Sequence, residues 1–156
     1  MAVHCVSVNG LQKMVSKLNE LGKNVEKTVD TSLHKSAYDI KREVESNIQR
    51  IGAVDTGRLL RSITVEKLGN CRYAVGTNVE YAAPIEFGTG SAGDPSVAHT
   101  ARTSWVYFNT KLGEFRTAYP QPSRPYMRPA FNTKRDVVRL NLTNAIVRAW
   151  SEGVGL

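Results

Sequence analysis

Residues 11–51 read LQKMVSKLNELGKNVEKTVDTSLHKSAYDIKREVESNIQRI, and this stretch decides the fold of the chain. Its apolar residues recur every three or four positions, about 3.6 residues per step, which is the period of an α-helix. The recurring positions are Leu11, Met14, Leu18, Leu21, Val25, Val29, Leu33, Ala37, Ile40, Val44, Ile48 and Ile51. The sequence therefore predicts one long amphipathic helix. Its weak point is Gly22, because glycine weakens a helix interior, and a kink or break there would leave a short first helix and a long second one.

The segments next to this helix favour a strand and a short turn. Residues 3–8 are apolar and β-branched, which predicts an edge strand. Gly52 is expected to end the long helix, since glycine is the usual residue just past a helix C-terminus. Asp55 is expected to cap a single helical turn at residues 58–62.

Three strands are predicted in the middle of the chain. Residues 63–68 and 71–75 are strand-like and flank Gly69-Asn70, a typical two-residue hairpin link. Residues 79–87 are expected to form a third strand, edge-like or bulged because Pro84 cannot donate to a central sheet ladder.

Glycine and proline interrupt residues 88–124, which we interpret as a long excursion from the fold. Within it, residues 105–108 and 114–119 could pair as a hairpin. The candidate partner-binding anchors are its aromatic residues, which bury much area with few rotatable bonds: Trp105, Tyr107, Phe108 and Phe115. We expect the excursion to be mobile in the free protein and ordered against a partner; the alternative is a small satellite core beneath the loop.

A second amphipathic helix is predicted after Pro129, which suits a first helical turn, and it should end at Gly153. The face expected to pack on the sheet comprises Phe131, Val138, Leu142, Ala145 and Trp150. The 156 residues are the length of one domain. Two helices packed on a small antiparallel sheet make a single α+β domain over residues 1–156, with the excursion at about 88–124.

The chain carries a formal net charge of +7, concentrated near its C-terminus. Residues 111–156 hold eight basic and three acidic residues, a net of +5. This imbalance fits either a solvated helix face or contact with an acidic partner, for which Arg128, Arg135 and Arg139 are candidates. The alternative function is nucleic-acid binding, with the phosphates contacted by Arg124, Arg128, Lys134, Arg135, Arg139 and Arg148.

No catalytic, metal-binding or cofactor-binding residue is predicted, and no cofactor is expected. Cys5 and Cys71 are too few for a disulfide framework or a four-thiolate zinc site. The glycines at 88, 90 and 93 match a dinucleotide-binding spacing, but Asp94-Pro95 follows where that motif needs a helix. The sequence shows neither a leader pattern nor 18 consecutive apolar residues, so we expect a cytosolic product and no membrane.

Three segments are more distinctive: residues 54–63 (VDTGRLLRSI), 81–89 (YAAPIEFGT) and 124–131 (RPYMRPAF). In this order, after a long helix with a polar face, they resemble the HK97 gp10-like family of tailed-phage neck and tail-completion proteins. The residues that carry the resemblance, taken as structural motif positions, are Asp55, Gly57, Glu86, Gly88, Pro125, Met127, Pro129 and Phe131.

The resemblance implies a structural virion protein without enzymatic activity. Such a protein is made in the bacterial host cytoplasm and assembles into a cyclic homo-oligomeric ring at the head–tail neck. Its expected partners are the phage head-closure or connector protein on one side and tail-terminator or tail-tube proteins on the other, with channel DNA nearby. Glycine, proline and large apolar residues mostly serve backbone geometry and core, so Gly57, Pro129 and Phe131 are expected to be fold determinants.

Overall fold

The computed structural model describes residues 9–52, 57–98, 101–110 and 112–154. These residues fall into two compact units. The first unit comprises the described parts of Met1–Tyr38, Glu66–Ala74 and Arg135–Leu156. The second unit comprises the described parts of Asp39–Val65 and Val75–Lys134. The edge strand predicted at 3–8 and the cap predicted at Asp55 lie outside the described residues.

Helix α1 spans Asn9–Arg50, 42 residues, and is continuous through Gly22. The helix is therefore not broken at its weak point, because the propensity cost of one glycine is about 1 kcal/mol and the helical pattern on both sides outweighs it. The end of the helix is as predicted. The N–H of Ile51 still donates to the Asn47 carbonyl at 3.0 Å, and Gly52 then adopts a left-handed φ of +65°.

A short helix and a hairpin follow. Helix α2 spans Arg58–Arg61 and begins after Gly57, whose φ of +69° is the left-handed conformation that glycine adopts without strain. Strands β1 (Thr64–Gly69) and β2 (Arg72–Gly76) form a two-stranded sheet, which confirms the predicted hairpin. The turn is shifted by one residue and consists of Asn70 and Cys71.

The third predicted strand, 79–87, is wrong. Residues Ala82–Phe87 form helix α3, preceded by a turn in which the N–H of Ala82 donates to the Val79 carbonyl at 3.0 Å. Pro84 lies in the first turn of this helix, where its missing N–H costs nothing. Proline is compatible with both an edge strand and a helix start, so Pro84 alone could not distinguish the predicted strand from the observed helix.

The excursion contains a 3-10 turn at Gly90–Ala92 and the predicted hairpin. Strand β3 (Trp105–Asn109) pairs antiparallel with β4 (Glu114–Ala118), and the register places Phe108 opposite Phe115. Helix α4 then spans Met127–Val154, 28 residues. It begins two residues before Pro129, which still falls in the first turn.

The second unit contains one apolar core. Its buried residues are Val44, Ile48, Leu59, Ile63, Val79, Ala82, Tyr126 and Ala130. Phe131 does not belong to it: its exposed fraction is 42%, whereas Ala130 is fully buried. The prediction that Phe131 is a core residue is therefore wrong, because the inward face of α4 is rotated by one residue, about 100°.

The same offset recurs in the first unit, where Ala149 is buried and Trp150 is 54% exposed, so the inward position predicted for Trp150 is also wrong. Small residues face inward because α4 approaches α1 closely here. A Cβ on Gly153 would come within 2.1 Å of the Leu21 side chain. Val138, Leu142 and Ala145 are partly buried.

The two long helices and the two-stranded antiparallel sheets make the protein α+β, as predicted. Among the residues that the structure describes, no helix is both long and apolar enough to cross a membrane.

Candidate partner-binding site

A groove of about 480 Å³ lies in the second unit, between α3 and the first turns of α4. It is lined by Thr77, Ala82, Ala83, Glu86, Phe87, Tyr126, Met127, Arg128, Phe131 and Asn132. Most of these residues come from the second and third distinctive segments of the sequence, which are separated by the whole excursion. The fold therefore brings two of the three segments together at one surface.

Glu86 holds this arrangement from α3. Its exposed fraction is 4%, and its carboxylate accepts hydrogen bonds from the backbone N–H groups of Tyr126, Met127 and Arg128 at 2.7, 2.8 and 3.0 Å. These N–H groups open α4 and have no partner within the helix. A carboxylate at a helix N-terminus is also favoured by the helix dipole. Glu86 is thus the cap of α4, supplied from a distant segment.

Arg128 ties a loop to the same place. Its guanidinium donates to the carboxylate of Asp94 and to the hydroxyl of Ser96, the latter at 3.3 Å, and lies 5.2 Å from the centre of the Phe87 ring. Its Nε is also 3.6 Å from Glu86. Hydrogen bonds from Ser96, and then from Arg128, hold the pKa of the Asp94 carboxyl well below its ordinary value. Arg128 therefore serves the protein's own structure at the rim of the groove.

Tyr126 forms the floor of the groove. Its hydroxyl donates to the Ala82 carbonyl at 3.3 Å, and its own carbonyl accepts from the Asn47 side chain at 3.0 Å. Burial, and then the charge of Glu86, raise the pKa of Tyr126 to about 12. The phenol is thus a neutral structural donor over the whole physiological pH range.

The two motif segments are also joined by their backbones. Gly88 has φ +73° and ψ −176°, a conformation essentially restricted to glycine, and a Cβ there would lie 2.6 Å from the Gln121 carbonyl. The N–H of Thr89 donates to that carbonyl at 2.8 Å, and the N–H of Arg124 donates to the Ile85 carbonyl at 2.9 Å. Gly88 therefore permits close backbone approach, after a helix and not after the strand that was predicted.

The remaining motif residues have supporting positions. Pro125 is partly buried just before α4, and Met127 packs against the apolar core. Pro129 is partly buried in the first turn of α4. Phe131 is the one motif residue that presents a large apolar surface to the groove and to solvent together. Sequence reasoning singled out Glu86 and Phe131 but missed Thr77 and Asn132, because no local pattern marks a groove wall.

The hairpin β3–β4 presents a second apolar surface in this unit. Phe108 and Phe115 face each other across the strands, with ring centres 5.2 Å apart, and Phe115 is 75% exposed. Because successive side chains of a strand alternate, Trp105 and Tyr107 lie on the opposite face. The four candidate anchors are therefore divided over two faces. Val106 is exposed beside Phe108, so this face covers no satellite core.

The basic candidates are divided over the two units. Arg128 belongs to the groove in the second unit, whereas Arg135 and Arg139 occupy exposed positions of α4 in the first unit. Two further cations of α4 are paired: Lys134 with Glu43 at 3.1 Å, and Arg148 with Glu152 at 2.8 Å. No group of three or more His, Cys, Asp or Glu side chains that could hold a metal occurs in the part of the chain that the structure covers.

These features are those of a small α+β protein. Its buried carboxylate, Glu86, bonds to the backbone of α4, and its exposed apolar surfaces lie at the groove and on the hairpin β3–β4. Residues 12–88 match the family model HK97-gp10_like, described as "Bacteriophage HK97-gp10, putative tail-component". Over these residues, just under half of the chain, the sequence is similar to that bacteriophage tail-component family. The match includes the first distinctive segment and all but the last residue of the second, and the third lies outside it. No curated protein and no solved structure matches the chain.

Proposed function

We propose that the chain is a structural, non-enzymatic component of the tailed-phage virion that completes the tail at the neck. In this role it forms a cyclic ring at the head–tail junction and joins the head connector to the tail. The observation that carries the proposal is the groove, in which two sequence segments separated by the excursion combine to expose Phe131 above a rigid floor. A concave, largely apolar surface on rigid elements is suited to receiving a side chain of a protein partner.

The proposed partners are a head-closure or connector protein on one side of the ring and a tail-terminator or tail-tube protein on the other. We assign the groove, with Phe131 and the rim residue Arg128, to one of these contacts. The hairpin, with Phe108 and Phe115 on one face and Trp105 and Tyr107 on the other, is assigned to the second contact. The match of residues 12–88 to a phage tail-component family supports a place in the virion.

The role of the groove is tested with virions in which a variant replaces the parent chain. Phe131→Asp puts a charge at a half-exposed position, so the chain should fold, but particles should accumulate as separate heads and tails in electron micrographs. Thr133→Asp is the matched control, because Thr133 is exposed on the same helix and does not line the groove. Normal joining by a folded Phe131→Asp chain would refute the role of the groove.

The place in the virion is tested with a gold label on the parent chain. The label should lie at the neck, and a label at the tail tip would contradict the proposed location. The nucleic-acid alternative predicts a different pattern. That alternative predicts that Arg139→Glu blocks joining and Phe131→Asp does not. It also predicts that the logarithm of the DNA-binding constant falls with the logarithm of salt concentration, with a slope of about −0.9 per phosphate contact. Both results together would replace the proposal with the nucleic-acid alternative.

A further inference from the structure

A second groove, here called the polar groove, lies between α1 and α4 in the first unit and encloses about 720 Å³. The more buried residues that line it have short side chains: Thr28, Ser32, Asn141, Ala145 and Ala149. The Thr28 hydroxyl donates to the Asn24 carbonyl at 2.8 Å, so it is turned toward its own helix. Short side chains on both helices therefore leave a space that neither helix fills.

The exposed rim of the polar groove carries charged and polar groups: Asn24, Lys27, Thr31, Lys35, Asn144, Arg148 and Glu152. Arg148 and Glu152 pair with each other at 2.8 Å. Lys27 and Lys35 form no ion pair within the part of the chain that the structure describes. The described rim therefore offers two unpaired ammonium groups to a ligand.

The dimensions of the polar groove fit an extended chain. Its lining runs from Asn24 to Lys35 on α1 and from Asn141 to Gly153 on α4, about 16–18 Å by the rise per residue. A strand takes about 3.3 Å per residue and a cross-section of about 4.8 by 10 Å, so five extended residues fill roughly 800 Å³. A helix of the same length and about 10 Å across needs roughly 1,300 Å³. The volume therefore suits a short extended segment better than a helix.

The uncharged lining is suited to a peptide backbone. Three carboxamides line the polar groove and make no side-chain hydrogen bond with any described residue: Asn24, Asn141 and Asn144. A carboxamide carries donors and an acceptor, and a peptide unit carries one of each, so the two can pair. An extended segment leaves its peptide units available for such pairs, whereas a helix uses them internally.

The spacing of the two lysines sets the position of the charges on the ligand. Lys27 and Lys35 are eight residues apart on α1, about 12 Å by the rise per residue. Side chains four residues apart in an extended chain lie on one side of it, about 13 Å from each other. The two ammonium groups are therefore spaced to meet two acidic side chains four residues apart.

We propose that the polar groove binds an extended acidic segment of a partner protein, with two carboxylates four residues apart. A nucleic-acid strand fits less well. None of the described residues that line the groove is aromatic, so a base has no ring to stack on, and Glu152 places a carboxylate at the rim. The site lies in the first unit, and the proposal depends neither on the ring nor on the groove in the second unit.

Fluorescence anisotropy with the full chain tests the charge contacts. The probe is a labelled heptapeptide with glutamate at its second and sixth positions and serine, alanine and glycine elsewhere. At low ionic strength the parent should bind it about ten times more tightly than the same peptide with glutamine at both positions. The double variant Lys27→Gln, Lys35→Gln should reduce this preference to less than threefold.

The matched control is the double variant Lys13→Gln, Lys17→Gln. It makes the same change in net charge at exposed positions of α1 that do not line the polar groove, so the preference for glutamate should remain. Asn141→Ala, Asn144→Ala tests the backbone contacts. Because these amides meet peptide units and not carboxylates, the variant should weaken both peptides by the same factor and keep the preference. Circular dichroism checks that each variant is folded.

Three results would overturn the proposal. The parent binds neither peptide, it binds both equally, or the Lys13/Lys17 variant loses the preference as fully as the Lys27/Lys35 variant. A labelled oligothymidylate of eight nucleotides is the competing probe. If it binds more tightly than the acidic peptide, and Lys27→Gln, Lys35→Gln abolishes that binding, the site takes a nucleic-acid strand instead. These measurements use no virion, so their failure would leave the proposed function standing.

Discussion

The carboxylate of Glu86 joins two segments that are distant in the sequence: its bonding partner Tyr126 lies 40 residues further along the chain. It satisfies three backbone donors that a helix cannot satisfy itself, and it does so where water is largely excluded. The groove depends on it, because α3 and α4 are its walls and the cap fixes one wall against the other. Glu86 therefore fixes the shape of the groove, whereas Phe131 supplies its exposed apolar surface.

Replacing Glu86 should destabilise the protein. Glu86→Ala leaves three N–H groups without an acceptor at a buried position and should lower the free energy of unfolding by about 1–3 kcal/mol. Glu86→Gln keeps one carbonyl oxygen as an acceptor and should lose less. Urea denaturation followed by circular dichroism measures both, and an Ala variant as stable as the parent would show that the cap contributes nothing.

Gly88 and Gly22 form a contrasting pair of glycines. Gly88→Ala should cost about 1–3 kcal/mol, because its backbone conformation is essentially restricted to glycine and its Cβ would meet the Gln121 carbonyl. Gly22→Ala should stabilise by about 0.5–1 kcal/mol, because Gly22 lies within α1 with open space around its Cα. Thermal melts of the two variants should shift in opposite directions. Shifts in the same direction would contradict the roles assigned to the two glycines.

At this scale the sequence predicted which residues matter better than it predicted what they do. Glu86 and Gly88 were singled out, but their partners at 121–128 cannot be inferred locally. Phe131 and Trp150 were assigned to the core because helical spacing identifies a face without showing how closely the neighbour approaches. Near Trp150, the close approach of α4 to α1 at Gly153 leaves room only for small inward side chains, and Trp150 faces outward.

In the first unit the hairpin β1–β2 is attached to α1 through the carboxylates of Asp30 and Glu26, and the side chain of Asn70 donates to Glu26 at 2.9 Å. Asp30 accepts hydrogen bonds from the Lys67 ammonium at 2.6 Å and from the Cys71 N–H and the Tyr73 hydroxyl at 3.1 Å each. The bond from Lys67, and then those from Cys71 and Tyr73, outweigh partial burial and lower the pKa of Asp30. The turn of the hairpin is therefore held by a side chain of α1. Cys71, which adopts an uncommon φ of +50°, lies in this turn.

This attachment should depend on pH. Because the folded-state pKa of Asp30 is lowered, its stabilisation is complete above the ordinary aspartate pKa and is lost as the pH falls through the folded-state value. Asp30→Asn should therefore reduce the free energy of unfolding at pH 7 and weaken its dependence on pH below about 4. Asp136→Asn, at an exposed position of α4, is the control. An unchanged acid profile for Asp30→Asn would contradict the assignment.

The hairpin β3–β4 should exchange its amide hydrogens quickly in the free protein. A two-stranded hairpin alone is marginally stable, and the side chains of Val106, Phe108 and Phe115 are exposed. Hydrogen exchange at 105–118 should slow when the chain is incorporated into particles, because the partner then covers these strands. Strong protection in the free protein would indicate that the hairpin is held without a partner.

Among the elements, those with a strong period or a clear turn were predicted from the sequence. Helix α1, the hairpin at 64–76, the hairpin at 105–118 and helix α4 all follow from local patterns. Helix α3 does not, because six residues are too short for a period, and Pro84 fits a helix start as well as an edge strand. The groove was not predictable, since its walls are brought together only by long-range hydrogen bonds.

For the whole molecule, stability and assembly should respond to different changes. Phe115→Asp replaces a side chain that is mostly exposed, so the free energy of unfolding should change by no more than about 0.5 kcal/mol. The same change should impair head–tail joining, because it puts a charge in the proposed apolar contact. Thr133→Asp, at an exposed position of α4 outside both the hairpin and the groove, is the control. If a Phe115→Asp chain joins heads and tails normally, the Phe108/Phe115 face of the hairpin is not part of the partner contact.

The backbone pairing of Thr89 with Gln121 at the base of the excursion has a consequence for how its sequence can vary. Thr89 and Gln121 exchange two backbone hydrogen bonds, at 2.8 and 3.2 Å, so the intervening chain is a closed loop whose ends are fixed by the body of the protein. Lengthening such a loop costs only about 0.6 kcal/mol for each doubling. The tip around Gly113 can therefore accept an inserted epitope or diverge between phages while α3 and α4 keep their places.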